Sequence, residues 1–120
     1  MKRLIFISLV IMLLTSCGKG DSLMDEIYNE SGYAIGKVNS SITVSIGIQN
    51  NYSYNVGSSE YKGNKKEVGL NQPTRVGHRY LVVYKLSDPQ KSDINFKYPI
   101  KTDQDFWDML VEFETNPPKR

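Results

Sequence analysis

A second cysteine is missing from this chain of 120 residues, so no disulfide can form within it and burial alone must hold its core together. Histidine is also single, and His78 has neither a partner imidazole nor a nearby thiol with which to complete a zinc site. There is no glycine-rich phosphate loop, no dinucleotide-binding fingerprint and no Gly-x-Ser-x-Gly nucleophile elbow. No apolar run approaches the roughly 20 residues that a bilayer span requires; the longest, Leu4 to Leu14, covers 11 residues and is interrupted by Ser8. An excess of one charge is missing too. The formal charge is +2, and Lys2 and Arg3 supply all of it, so from residue 4 onward 13 basic side chains face 13 acidic ones. Such a balance gives no argument for a nucleic-acid partner or for electrostatic attraction to an anionic membrane. No cofactor, metal or catalytic residue is called for.

What the N-terminus does have is Lys2 and Arg3, then the apolar run, then Leu14-Thr15-Ser16-Cys17. A cationic start, a short hydrophobic segment and small residues before a cleavage point compose a secretory signal. The flanks argue against a buried helix, because charges precede the run and Gly18, Lys19 and Gly20 follow it. A plain secretory peptide would deliver an unpaired thiol to an oxidising compartment. The Leu-x-x-Cys spacing resembles the lipobox of bacterial lipoproteins, whose thiol receives diacylglycerol before the chain is cut just upstream. The resemblance implies that residues 1–16 are a signal peptide and that lipidated Cys17 becomes the first residue of a membrane-tethered protein. Two or three acyl chains, at about 0.8 kcal/mol per buried methylene, would make such an anchor effectively permanent. Gly18 stands where an aspartate would resemble the inner-membrane retention signal, so the expected location is the cell envelope, on the periplasmic face of the outer membrane.

The 104 residues left after such a cut suffice for one small domain. They are rich in Tyr, Val, Ile, Asn, Ser and Gly, a mixture that favours strands and tight turns. Residues 17–31 read as a tether: a polar spacer, then either one helical turn from Leu23 to Tyr28 with Ser22 as its cap, or frayed chain. Residues 32–120 read as the domain. A first strand is predicted over Gly32 to Val38, with a turn at Asn39-Ser40-Ser41. Ile42, Val44, Ile46, Ile48, Tyr52, Tyr54 and Val56 then share one parity, which predicts a single long, half-buried strand that bends near Gln49-Asn50-Asn51. Gly57-Ser58 offers a two-residue turn with glycine first, setting Val56 opposite Ser59 and Tyr54 opposite Tyr61. The partner strand is expected to end by Lys62-Gly63-Asn64, followed by a loop to residue 76 with one short strand near Glu67 to Leu70. Arg79 to Lys85 is apolar on both parities and should be the most buried strand. A turn at Ser87-Asp88-Pro89-Gln90 and a last, edge strand from Ile94 to Ile100 complete the sheet.

Thr102 followed by Asp103 and Asp105 marks a helix start, and Phe106, Leu110 and Phe113 make a stripe with Trp107 and Val111 beside it. A helix over residues 102–116 is favoured over a strand at Leu110 to Glu114, because the stripe spans more residues than the alternation. The expected fold is therefore mainly β: a small antiparallel barrel or curled sheet of about five strands with a C-terminal helix. Residues 60–101 carry 9 basic and 4 acidic side chains, whereas 102–120 carry 2 and 5. Either the acidic helix docks beside a basic wall, or Lys62, Lys65, Lys66, Arg75 and Arg79 form a ligand face for an anion. Asp103, Asp105 and Asp108 have loose metal spacing but suit a helix N-terminus equally. Tyr52, Tyr54, Tyr61, Tyr80, Tyr84 and Tyr98 either fill the core or line a binding face.

The succession Tyr52-x-Tyr54-x-Val56-Gly57, Tyr61-Lys62-Gly63, Val76-Gly77, Tyr80-Leu81-Val82-x-Tyr84 and Asp88-Pro89 to Ser92 is similar to small, functionally uncharacterised membrane-associated β-domains of bacteria, often carried by small lipoproteins of Bacteroidota. The likeness covers residues 33–100 and leaves 101–120 outside. It implies structural roles for the Gly77-to-Tyr84 strand and its Asp-Pro turn, and carries over no catalytic residue. The expectation is a non-enzymatic, lipid-anchored protein that binds an envelope protein or component. An inhibitor or immunity-type lipoprotein is the alternative; a hydrolase rests on His78 alone.

Overall fold

The computed structural model describes residues 19–69 and 74–120, with side chains from Ser22 onward. The expected signal peptide, Cys17 and the loop residues 70–73 lie outside them. Helix α1 (Lys19–Asn29) leads into strands β1 (Ser31–Val44), β2 (Gly47–Val56), β3 (Ser59–Val68), β4 (Arg79–Lys85) and β5 (Asp88–Pro99), and helix α2 (Asp103–Phe113) follows. The strands form one antiparallel sheet in the order β3-β2-β1-β4-β5. It curls until its two edges approach, giving a half-barrel with a concave interior and a convex back. The mainly β fold with a C-terminal helix is thus the one expected.

Alternation sorts the apolar residues into two cores. Inside the curl lie Ala34, Val38, Tyr52, Tyr54, Tyr80, Val82 and Ile94. On the back, beneath the helices, lie Ile27, Leu81, Val83, Ile100, Phe106 and Phe113. β4 supplies both: Tyr80 and Val82 point inward, Leu81 and Val83 outward, and all four are buried. That is why this strand reads as apolar on both parities.

Three sequence expectations fail, each for a local reason. Asn39-Ser40-Ser41 is not a turn. β1 runs through it, with a bulge at Asn39 between the pairs Val38–Tyr52 and Ser40–Asn51. The single long strand from Ile42 to Val56 is two strands, joined by a two-residue loop at Ser45-Ile46 that sets Val44 opposite Gly47. Facing residues across such a loop share a side, so one parity in sequence changes face at the turn. Ile42 and Ile46 are accordingly exposed, whereas Tyr52 and Tyr54 are buried. No residue of that loop has positive φ, so it lacks the glycine or asparagine by which hairpins announce themselves. Third, Lys62-Gly63-Asn64 does not end β3, which continues to Val68. The Tyr52 ring lies across Gly63, and a Cβ there would stand 2.6 Å from it. This glycine marks a close approach rather than a strand end.

Other elements stand where expected or differ only in their bounds. Val56 faces Ser59, Tyr54 faces Tyr61, and Gly57 takes φ +62°, as a glycine-first turn requires. β5 is an edge strand ending at Pro99, but it starts at Asp88; the turn before it is Leu86-Ser87, and a register shift next to Lys85 accommodates Pro89. α2 has a complete capping box: Thr102 Oγ1 accepts from Asp105 N–H, and the Asp105 carboxylate accepts from the N–H groups of Lys101 and Thr102. Those donors hold the Asp105 carboxyl below its ordinary range. α1 is longer than the single turn predicted, and Ile27 in its last turn is fully buried against the back of the sheet.

Candidate functional site

The interior of the half-barrel is filled rather than open. Tyr54 is central: its ring stacks at 5.7 Å on Tyr61 and 6.4 Å on Tyr84, and its hydroxyl donates to Pro89 C=O. Tyr52 reaches the same strand, sharing a 2.8 Å hydrogen bond with Ser92 Oγ. Burial pushes both phenols above their ordinary pKa, so both stay neutral and able to donate. Tyr52, Tyr54 and Tyr80 are core, while Tyr61 and Tyr84 are half-buried against it and Tyr98 packs on the back.

These tyrosines also close the seam between the sheet edges. The edges β3 and β5 are not neighbours in the ladder, yet Lys65 Nζ of β3 meets Asp93 Oδ1 at 2.8 Å and donates to Ile94 C=O at 2.8 Å, and Gln90 Nε2 of β5 donates to Lys62 C=O. Asp93 is nearly fully buried, and its other oxygen accepts from the Tyr28 hydroxyl of α1 at 2.6 Å. Asn95 then donates to both the Tyr28 oxygen and Lys119 C=O, tying helix, edge strand and tail together. Burial, then the hydrogen bond to the Asp93 carboxylate, raises the Tyr28 phenol.

A second polar cluster plugs one end of the interior. Arg75 makes a bidentate pair with Glu67 (Nε to Oε1 and Nη2 to Oε2, both 2.9 Å) and lies 4.3 Å over the Phe96 ring. Fully buried Asn50 donates to Glu67 Oε1 and accepts from Ser41 Oγ. The Arg75 hydrogen bonds hold the Glu67 carboxyl below its ordinary range. A carboxylate with a depressed folded pKa adds stability above its unfolded pKa, about 4.3, and that stability is lost as pH falls through the lower folded value. In acid titrations followed by circular dichroism, the wild-type protein should therefore weaken from about pH 4.3 downward, whereas Glu67→Gln should start less stable, by about 1.5–3 kcal/mol, and change less across that window.

The five cations proposed as one ligand face do not share a face. Lys65 and Arg75 point inward and are each engaged by a carboxylate, Lys62 and Lys66 stand exposed on the back of β3, and Arg79 pairs with Asp103 at 2.9 Å beside the start of α2. His78 is exposed, next to the positive-φ Gly77. Asp103 and Asp105 are used by Arg79 and the helix cap, and no cluster among the described residues could hold a metal ion. Among the same residues no helix is long and apolar enough to cross a membrane.

No known protein family, curated protein or solved structure matches this chain. The geometry must therefore speak for itself. Besides a smaller concavity of about 300 Å³ beside His78, Tyr80 and Ile100, two larger ones are lined by the described residues. One, of about 460 Å³, runs between α2 and the end of β5 over Tyr98, Met109 and Phe113. The other, of about 440 Å³, lies on the back of the β1–β2–β3 half of the sheet and is lined by Asn39, Ser40, Asn51, Lys62 and Asn64, with Tyr52 and Gly63 between them. The second has no forewarning in the sequence, because Asn39 and Ser40 pass for turn residues. The signal available was the run of short amides and hydroxyls inside an otherwise strand-like alternation.

Proposed function

We propose that this is a lipid-anchored protein of the cell envelope whose single β domain binds a partner and catalyses nothing. The observation that carries the reading is Leu14-Thr15-Ser16-Cys17 behind a cationic, apolar leader in a chain with no other thiol. It is supported by how the domain spends its ionisable groups: Glu67, Arg75, Lys65 and Asp93 bond one another inside the fold, and Asp105 caps a helix. Cys17 is the proposed lipidation site. The periplasmic face of the outer membrane is the proposed location.

The test is metabolic labelling of producing cells with a palmitate analogue. The wild-type chain should incorporate label and fractionate with membranes; Cys17→Ser should do neither. An unlabelled wild-type chain would overturn the reading.

One observation favours the inhibitor or immunity-type alternative. Trp107 and Val111, one turn apart on the outer side of α2, are 58% and 67% exposed, and large exposed aromatics of this kind often anchor protein interfaces. An inhibitor would co-purify with one enzyme in equal amounts, and Trp107→Ala would release it.

A further inference from the structure

The back of the sheet is divided. Helices cover its β4–β5 side, and the back of β2 and β3 stays open with an unusual set of side chains. Along the back of β2 run Gln49, Asn51, Ser53 and Asn55. Exposed strand faces ordinarily carry Thr, Lys, Arg, Glu and aromatics, because short amides and Ser pack poorly on a pleated surface and favour turns. Between Lys37 and Glu60 there is no charged residue at all. Departures from local preference of this sort concentrate where a protein does something other than fold.

The bulge in β1 builds the site. By adding one residue opposite Tyr52 and Asn51, it puts two consecutive side chains, Asn39 and Ser40, on the open face. Each is then fixed by β2: Asn39 Nδ2 donates to Ser53 Oγ at 2.8 Å, and Ser40 Oγ accepts from Asn51 Nδ2 at 3.1 Å. Gln49 Nε2 in turn donates to Asn51 Oδ1 at 3.2 Å. Across the groove stand Asn64 and Lys62 of β3, above a floor that is backbone at Gly63. A carboxamide offers two N–H donors and an acceptor oxygen, so this array holds donors and acceptors in fixed positions with capacity to spare.

We propose that this groove binds a polyhydroxylated chain, an oligosaccharide, through the amides of Asn39, Asn51 and Asn64, with Lys62 at its rim. A sugar chain presents hydroxyls that both donate and accept, which matches paired amides and hydroxyls. A peptide fits less well, because β2 already has both edges paired and cannot take on a further strand there. A cation has no carboxylate to meet there. The proposal rests on reading the domain as a binding module and is independent of the lipid on Cys17.

The test is an NMR titration of the ¹⁵N-labelled protein, as purified from cells, with chitohexaose, laminarihexaose and maltoheptaose. At least one glycan should produce saturable shifts in the side-chain amides of Asn39, Asn51 and Asn64. The variant Asn51→Thr/Asn64→Thr, which places better strand formers on the same face, should melt no lower than wild type and bind at least about tenfold more weakly. Asn64→Ala alone, on an exposed edge position, keeps the fold and should weaken binding as well. Three results would each overturn the proposal: no shift with any of the three glycans, shifts that map to the α2–β5 concavity instead, or unchanged affinity in the Thr/Thr variant. Lipidated protein that fails this titration would leave the anchor standing and remove the glycan; an unlabelled protein that passes it would do the reverse.

Discussion

Tyr54→Asp should leave the domain unfolded at room temperature. The ring is 2% exposed and is the centre of the interior stack, so truncating it forfeits about 3–5 kcal/mol, in line with other buried aromatics. The carboxylate adds a desolvation cost of several kcal/mol more, with no cation within the stack to offset it. Domains of this size hold about 5–15 kcal/mol in total, and without disulfides this one has little beyond its two cores. Tyr54→Phe separates the two effects. It keeps the rings in contact and loses only the bond to Pro89 C=O, at about 0.5–1.5 kcal/mol. Urea unfolding followed by far-ultraviolet circular dichroism reads both variants; an aspartate variant with an unaltered midpoint would refute the inward placement of this residue.

Removing residues 102–120 should have the second-largest effect, and a different character. The concave core would keep its own residues, but the back of the sheet would lose Phe106 and Phe113, which pack on Leu81, Val83 and Ile100. Phe113 also meets Tyr33 of β1 and Tyr98 of β5, at 5.1 and 5.4 Å between ring centres. Each phenylalanine is comparable to a core truncation of about 3–5 kcal/mol, and the tail's bond to Asn95 goes with them. The shortened protein should associate through the uncovered back, visible as aggregation in light scattering. A monomeric truncation with the full-length melting temperature would make α2 an appendage rather than a wall of the core.

How far the sequence could be read depended on how local each signal was. The β2–β3 hairpin was legible because a glycine-first pair sits between alternating strands and fixes register within four residues. β4 and the Thr102 cap were legible for similar reasons: two apolar parities in seven residues, and a hydroxyl three residues before an acid. Asn39, Ser40 and Gly63 were misread because such residues signal turns through backbone freedom. The structure uses them instead for what their side chains, or the lack of one, allow across strands: an amide to Ser53, a hydroxyl to Asn51, and room for the Tyr52 ring. The basic ligand face was separable on paper, since Lys62 and Lys66 differ in parity from Lys65. The Glu67–Arg75 pair was not, because it depends on the path by which the chain returns from β3 to β4.

Side chains bridge strands that no backbone ladder joins. Lys65 to Asp93, Tyr52 to Ser92 and Gln90 to Lys62 C=O hold a half-barrel shut where a full barrel would use backbone pairs. The back of β2 and β3 takes no part in closing that seam, and the amide-lined groove lies there.

Intact-mass and peptide mass spectrometry of the protein purified from its own cells addresses the proposed anchoring most directly. The expected result is an N-terminal peptide that begins at Cys17 and carries a diacylglyceryl thioether, with no trace of residues 1–16. A chain retaining those residues, or one starting elsewhere with Cys17 as a free thiol, would contradict it.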